Sequence, residues 1–331
     1  MAGRVRVSAL IPAWNAEASV GRVVEGILSQ GEAVREVLVA LDGCTDRTGE
    51  AARKAGARVL DLGGRQGICA ARNTLAREAS EEVLWFVDSD SIPEAGCLER
   101  LIRGLEEHPD AGLVHGTNVL PEGRRDLPNV AYAILGRHHF LRTTGPRYTS
   151  HVTTANCLVR REVLERAGAF QHFRCGGEVL DFYEDLDLSL RAGRLGWKCW
   201  FEPAALTWHE NPRRSVSAFL RHRVKCGICS TLVRRKHPDL ASFGAFYRGD
   251  PLLLLPLAPA LALYSALKAL AVHLKYAEMP RSLVLRAAPL VLLGQAWFTK
   301  GVVRAVRLSA RGECTVETPG PVRPGGGGGP S

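Results

Sequence analysis

Glu82-Val83-Leu84-Trp85-Phe86-Val87-Asp88-Ser89-Asp90 decides how this 331-residue chain is read. Five consecutive apolar residues, β-branched and aromatic among them, predict a strand buried on both faces. The strand runs straight into two carboxylates. Side chains alternate along extended backbone, so Asp88 and Asp90 share one side and can hold one hard cation between them. Alone, Asp-x-Asp is a weak signal, common in solvated turns; the buried strand ahead of it gives it weight.

Upstream, Val5–Ile11 is a second buried strand, closed by Pro12. Glu36–Leu41 is a third, ending at the turn Asp42-Gly43, and Arg58–Leu60 is a short fourth. Ala18–Leu28, Arg47–Ala55 and Ile68–Ala79 have helical spacing and lie between them. Strands alternating with helices predict a parallel sheet with right-handed crossovers, whose ligands sit at the carboxyl ends of the strands. Pro12 to Asn15, Asp42, and Asp88 to Asp90 all fall at such ends.

Downstream the pattern loosens. Val114–Leu120 reads as a strand, 121–150 as a polar, basic connection, and Asn156–Arg160 leads into a helix at Glu162–Arg166. Glu178–Ala192 reads as helix, with Trp197–Phe201 and Ala205–His209 as strands after it. Pro251–Val272 and Leu283–Val303 are apolar helical stretches, and the Pro/Gly-rich end from Thr318 to Ser331 cannot bury enough apolar surface to order. There is no internal repeat.

With 46% hydrophobic and 23% charged residues the body is globular. The net charge of +9 is uneven: residues 1–210 carry 25 Lys and Arg against 29 Asp and Glu, residues 211–331 carry 18 against 5. That split suggests chemistry in the first part and an anionic partner for the second, be it a membrane surface, a diphosphate or nucleic acid. Nine cysteines without a disulfide-like pattern, and no apolar run before the first strand, favour reduced thiols in the cytosol. Cys226 and Cys229 form the only close pair, and no second pair stands at zinc-like spacing.

Two further sites carry candidate chemistry. Asp181, Glu184, Asp185 and Asp187 crowd the start of an amphipathic helix. Acids in a first turn suit the helix dipole, but this many exceed what a cap needs, so one can keep a raised pKa and act as a base. His209 ends a strand, where a neutral imidazole can complete a metal's coordination or fill an ordinary core position. His108, His115, His138, His139 and His151 have no comparable claim.

Their order resembles a known family. Ala9-Leu10-Ile11-Pro12-Ala13-Trp14-Asn15-Ala16-Glu17 is similar to the opening of family 2 inverting glycosyltransferases, and Asp42-Gly43-Cys44-Thr45-Asp46-Arg47-Thr48 to their next turn. Gly67, Ala71-Arg72-Asn73 and Asp88-Ser89-Asp90 match a third block, and Asn156 to Arg161 with Gly168-Ala169-Phe170 a fourth. Glu184-Asp185-Leu186-Asp187-Leu188, Gly196-Trp197 and His209-Glu210 make a fifth. The resemblance covers residues 5–210.

It implies a GT-A nucleotide-diphospho-sugar transferase fold, α/β with a mostly parallel sheet and helices on both faces, and direct inverting displacement. Pro12, Ala13, Asn15, Glu17, Asp42, Arg72, Asp88 and Ser89 would bind the donor, a UDP-sugar for preference. Asp90, Asp88 and His209 would hold Mn²⁺ or Mg²⁺, and Asp185, beside Glu184, would be the base. Trp14 in place of Tyr, Cys44 in place of Ser and Leu41 before Asp42 depart from the pattern and bear on base and sugar specificity.

The basic stretch after His209 holds Arg213, Arg214, Arg221, Arg223, Lys225, Arg234, Arg235 and Lys236. It is either a solvated helix or a cationic cover for the donor diphosphate. Processive relatives carry Gln-x-x-Arg-Trp there, which this chain lacks; the stretch is closer to that of mycofactocin-pathway glycosyltransferases, a weaker resemblance. The expected organisation is a catalytic domain over 1–210, a basic helical segment closing the site over 211–250, a membrane-associated apolar hairpin over 251–311, and a disordered tail over 312–331. The expected partners are a nucleotide-sugar, a hydroxyl acceptor (lipid-linked, peptide or small molecule) and the anionic cytoplasmic surface of the cell membrane, but no nucleic acid. A nucleotidyltransferase on a related fold and a non-catalytic membrane-bound scaffold are the alternatives; the first would need a Gly-rich basic loop where Pro12-Ala13-Trp14-Asn15 stands.

Overall fold

The computed structural model describes residues 5–121, 123, 125–137, 140–210, 215–238, 258–276 and 279–318. Its centre is a nine-stranded sheet. The strands β1 (Val7–Ala13), β2 (Val34–Leu41), β3 (Arg58–Asp61) and β4 (Val83–Val87) form its parallel half in the order β3-β2-β1-β4. Between them run α1 (Val20–Leu28), α2 (Thr48–Lys54) and α3 (Ile68–Glu78). The alternation of side chains sorts each strand between two cores. Val7, Ala9, Ile11, Trp85 and Val87 pack on one face, Leu10, Leu84 and Phe86 on the other.

The chain moves outward from β1 to β3 and returns on the far side of β1 as β4. Strand order therefore reverses between β1 and β4, where parallel sheets open a crevice at their carboxyl ends. From β4 the sheet continues through β8 (Asn156–Arg160), β6 (Ala111–Val119), β11 (Lys198–His209) and β5 (Ser91–Pro93), with β7 (Arg147–Thr149) also pairing β11. The two strands expected at Trp197–Phe201 and Ala205–His209 are one, β11, with a break in register against β6 between Phe201 and Leu206. A bulge lets a strand bend without ending.

Three expectations change here. Within Glu178–Ala192, Glu178–Leu180 is the strand β10, and the helix α7 begins at Glu184 and ends at Arg194. The connection at 121–150 contains the helix α5 (Leu127–Arg137). Cys314–Glu317, assigned to the tail, is the strand β12; it pairs β9 (His172–Cys175) in a small sheet, and a Cys175–Cys314 disulfide ties the two strands. With 139 residues between these cysteines, no local spacing signals the pair, so the expectation of nine reduced thiols fails there. The tail from 319 onward lies outside the described residues. Strand β9 follows the short helix α6 (Arg161–Arg166), and α4 (Cys97–Glu107) packs on β11 and β6.

The C-terminal part is helical. After α8 (Val216–Lys236) come α9 (Ala258–Tyr276) and α10 (Arg281–Ala310); residues 251–257 of the expected hairpin lie outside the described residues. The hairpin does not stand free. Val130 and Ile134 of α5, Phe219 of α8, Ala266 and Ala269 of α9 and Val284, Ala287 and Val291 of α10 share one core. Helices α8 and α10 cross in backbone contact. A Cβ on Gly227 would strike the Phe298 carbonyl, one on Gly301 the Val224 carbonyl, and one on Gly294 would sit 2.5 Å from the Phe219 ring.

Backbone against backbone leaves a new side chain nowhere to go, so Gly301→Leu is expected to lower unfolding stability by at least ~1–3 kcal/mol. Denaturant unfolding measures it, and a wild-type midpoint in that variant would contradict the crossing.

Candidate active site

Each expected site residue can be followed to its place. Strand β5 reverses direction after Asp90 and pairs antiparallel with the end of β11, setting Ser91 opposite His209. The Glu210 N–H donates to the Asp90 carbonyl at 2.8 Å, and His209 Nε2 lies 3.0 Å from Asp90 Oδ1. Asp88, Asp90 and His209 thus come together, with one ligand atom from each within 4.8 Å of the others. Two carboxylates and an imidazole are a donor set that Mn²⁺ or Mg²⁺ accepts. Two residues that sequence reasoning passed over hold this corner. Arg22 on α1 grips Glu210 with both Nη atoms, at 2.6 and 2.7 Å, and Ser19 Oγ donates to the Ser89 carbonyl at 2.8 Å. Arg22 is separated from Glu210 by 188 residues and carried no sequence signal.

Arg72, on α3, connects this corner to the other acidic cluster. Its guanidinium is 98% screened from solvent, yet it donates to Glu184 Oε1 at 2.5 Å and to Asp88 Oδ1 at 3.1 Å. Burial works against its charge, but Glu184 and Asp88 more than offset that and raise its pKa. Glu184, also buried, is raised by its own desolvation although Arg72 opposes it. Asp185 follows on the first turn of α7. It is pushed up to about 7, first by burial among protein atoms and then by the adjacent Glu184 charge. Its side chain nevertheless keeps some contact with solvent. A carboxyl poised near neutrality and still reachable can take a proton.

Asp187 has a different role. It pairs with Arg191 at 2.9 Å, Lys236 at 2.6 Å and His237 at 2.8 Å. Burial would raise it, but these partners hold it down at about 2. It anchors the end of α8 to α7. Asp181 likewise has a structural partner set: it accepts from the Ile68 N–H at 2.6 Å and faces His172 Nδ1 at 2.7 Å.

The expected donor-binding residues lie at the ends of β1, β2 and β4, and several are tied to one another. Asn15, at φ +48°, accepts from the Thr45 N–H at 2.8 Å, and Glu17 accepts from the Arg47 N–H at 3.0 Å. In return the Ala16 N–H donates to Thr48 Oγ1 at 2.7 Å and the Glu17 N–H to Asp46 at 3.1 Å. The two motif loops are therefore laced together. Asp42 is buried and accepts from the Gln66 and Gly67 N–H groups at 2.5 and 3.0 Å, so with Asp181 it satisfies the open N-terminus of α3. Pro12 and Ala13 are buried within β1; Trp14, beyond them, is 55% exposed with the Arg65 guanidinium 4.0 Å from its ring centre.

The basic stretch divides. Arg223 is buried and donates to Gln295 at 2.9 Å, as a buried cation needs a partner, and the half-buried Lys236 reaches Asp187. Arg221 and Lys225 line a groove with α10, while Arg213 and Arg214 lie outside the described residues. Cys226 sits 3.3 Å from His222, and both Cys226 and Cys229 are buried thiols.

Residues 8–168 match the family model described as "Glycosyl transferase family 2". "Glycosyltransferase AglE" of Haloferax volcanii is 28% identical over 235 residues, covering 67% of this chain and 71% of AglE. "Probable glycosyltransferase YdaM" of Bacillus subtilis is 25% identical over 228 residues, 62% of this chain and 51% of YdaM, so the match spans about half of that relative. "Pre-mycofactocin glycosyltransferase" of Mycobacterium tuberculosis is 28% identical over 183 residues, 53% of this chain and 36% of the relative. Among solved structures, "Mannosyltransferase PcManGT from Pyrobaculum calidifontis in complex with GDP-Man and Mn2+" superposes with a TM-score of 0.61 at 19% identity, over 92% of this chain and 88% of that one. At that identity the likeness speaks for the fold, which is the expected GT-A fold. Over residues 8–168, just under half of its length, this chain is thus similar to glycosyl transferase family 2.

Proposed function

We propose that the protein moves a sugar, with inversion, from a nucleotide-diphospho-sugar to a hydroxyl acceptor at the cytoplasmic face of the cell membrane. One observation carries this reading: the Asp88–Arg72–Glu184 bridge, which sets the Asp88, Asp90 and His209 cluster close to Asp185. The donor would lie along the reversal between β1 and β4, against Pro12 to Glu17 and Asp88 to Ser89, with Asp42 shaping the pocket through the 65–67 loop it holds.

Asp88, Asp90 and His209 would hold Mn²⁺ or Mg²⁺, which when bound stabilises negative charge on a departing diphosphate. The acceptor oxygen bonds to the anomeric carbon while the bond from that carbon to the diphosphate oxygen breaks, and the acceptor's proton passes to Asp185. Glu184 keeps its place through Arg72 and raises the basicity of Asp185 through its charge. A UDP-sugar is the favoured donor. The GDP-mannose held by PcManGT supports a GDP-sugar as the second reading. A thermal-shift panel of UDP- and GDP-sugars with Mn²⁺ separates the two, because stabilisation follows RT ln(1+[L]/Kd).

Asp90→Ala is expected to abolish metal-dependent transfer. Full activity of that variant at saturating Mn²⁺ would remove Asp90 from the cation site.

Asp185→Asn is expected to keep donor affinity and lower kcat by ~10²-fold or more. A base acts deprotonated, so wild-type kcat/KM should fall as pH drops below about 7, or at a lower pH where a bound cation depresses the carboxyl. Folding gives an independent reading. A carboxyl whose pKa is raised on folding makes the native state less stable as pH rises between its unfolded and folded values. Metal-free Asp185→Asn should therefore be the more stable protein at pH 8 and lose that advantage near pH 4, as unfolding curves would record.

Arg72→Met leaves Glu184 buried without its cation, an expected loss of ~3–5 kcal/mol at neutral pH. Denaturant unfolding tests it, and a change under 1 kcal/mol would mean that the bridge does not hold the site together.

A further inference from the structure

The exposed face of α10 changes character along its length. Leu285, Pro289, Leu292, Leu293 and Ala296 are exposed at helical spacing, and the same stripe continues as Lys300, Arg304, Arg307 and Arg311 beyond the helix end. The opposite face is buried against α5 and α8. On α9, Leu263, Tyr264 and Leu267 are each more than half exposed. Beyond the apolar part, α8 and α10 enclose a groove of roughly 870 Å³.

Six cations line it: Arg221, Lys225, Lys300, Arg304, Arg307 and Arg311. Its floor is apolar, with Trp297, Ile228 and Leu308. Glu178 is the one carboxylate among the lining residues, and it reaches only Lys225 and Arg304, each at a loose 3.7 Å. No carboxylate among the described residues pairs with Arg221, Lys300, Arg307 or Arg311. So many unneutralised charges around an apolar floor repel one another unless an anion joins them.

We propose that this groove takes the headgroups of anionic phospholipids in a bilayer, with α9 and α10 lying in the plane of the membrane surface. Phosphate oxygens would meet the guanidinium groups above the Trp297 floor, and the leucine stripe would enter the upper acyl region. Length argues against a span. Although α10 is long and apolar enough to cross a membrane, its exposed apolar stripe from Leu285 to Ala296 covers only ~16 Å at 1.5 Å per residue, against ~30 Å of hydrocarbon. Exposed Lys268, Lys275, Arg281 and Arg286 close its other end. The contact of α8 with α10 at Gly227 and Gly301 would also draw the charged side of α8 into the bilayer if α10 crossed it.

The test is co-sedimentation of the full chain with vesicles of phosphatidylcholine alone or mixed with phosphatidylglycerol. Binding is read without turnover, so its failure leaves the transferase reading untouched. Binding to the phosphatidylglycerol vesicles alone is expected, weakening as salt is raised. Each cation near an anionic surface contributes about 1 kcal/mol, so Arg307→Gln with Arg311→Gln should weaken binding ~30-fold at unchanged Tm. Leu292→Ser with Leu293→Ser should weaken it as well, which a purely ionic contact would not produce. Equal binding to both vesicles, or wild-type binding by the arginine pair variant, would overturn the proposal. So would Tm stabilisation by inorganic phosphate with no vesicle binding, which would make the groove a site for soluble anions.

Discussion

Arg72 is a full positive charge held almost entirely out of water, and the active-site architecture depends on how that charge is satisfied. Its two partners come from opposite parts of the chain: Asp88 from the end of β4, Glu184 from the start of α7. Neither carboxylate would be tolerated so close to its neighbours without the guanidinium between them, and a buried guanidinium without them would be more costly still. Because a fork of planar donors fixes direction as well as distance, the bridge sets the orientation between the Asp88, Asp90 and His209 cluster and the candidate base. Burial raises the pKa of Asp185 first, and Glu184, kept in place by the same arrangement, adds to the rise.

Around that bridge, the motif residues divide into those that face the chemistry and those that build the walls. Asn15, Glu17, Asp46 and Thr48 lace two loops together. Asn73 exchanges hydrogen bonds with Phe170 in both directions, at 2.9 and 3.0 Å, fastening α3 to the segment before β9. Asp42 and Asp181 cap the helix that carries Arg72. A short motif thus reports a backbone shape as often as a ligand contact, and only hydrogen-bond partners distinguish the two.

The helices after residue 215 extend the same body instead of forming an appendage. Phe173, Leu180 and Leu186 of the catalytic part share a core with Ile228 and Leu232 of α8 and Ala305 of α10. Asp187, in the helix of the candidate base, receives Lys236 and His237 from the end of α8. Through α8, α10 is therefore mechanically joined to α7.

From the sequence alone, the parallel half of the sheet, the ends of β1, β2 and β4 where the candidate site residues gather, and the acidic cluster at the head of α7 were all legible. Each is local: period-two burial, helical spacing and a turn suffice to write it. What could not be read were contacts between distant positions, among them the antiparallel seat of β5 that sets His209 beside Asp90, the Arg22–Glu210 clasp, and the pairing of β9 with β12. The path of the basic stretch was equally hidden, because charge density says that cations need anions or water but not which ones. Local backbone preference determined the elements and the strand ends; long-range strand pairing and the pairing of buried charges decided which of those ends became a site.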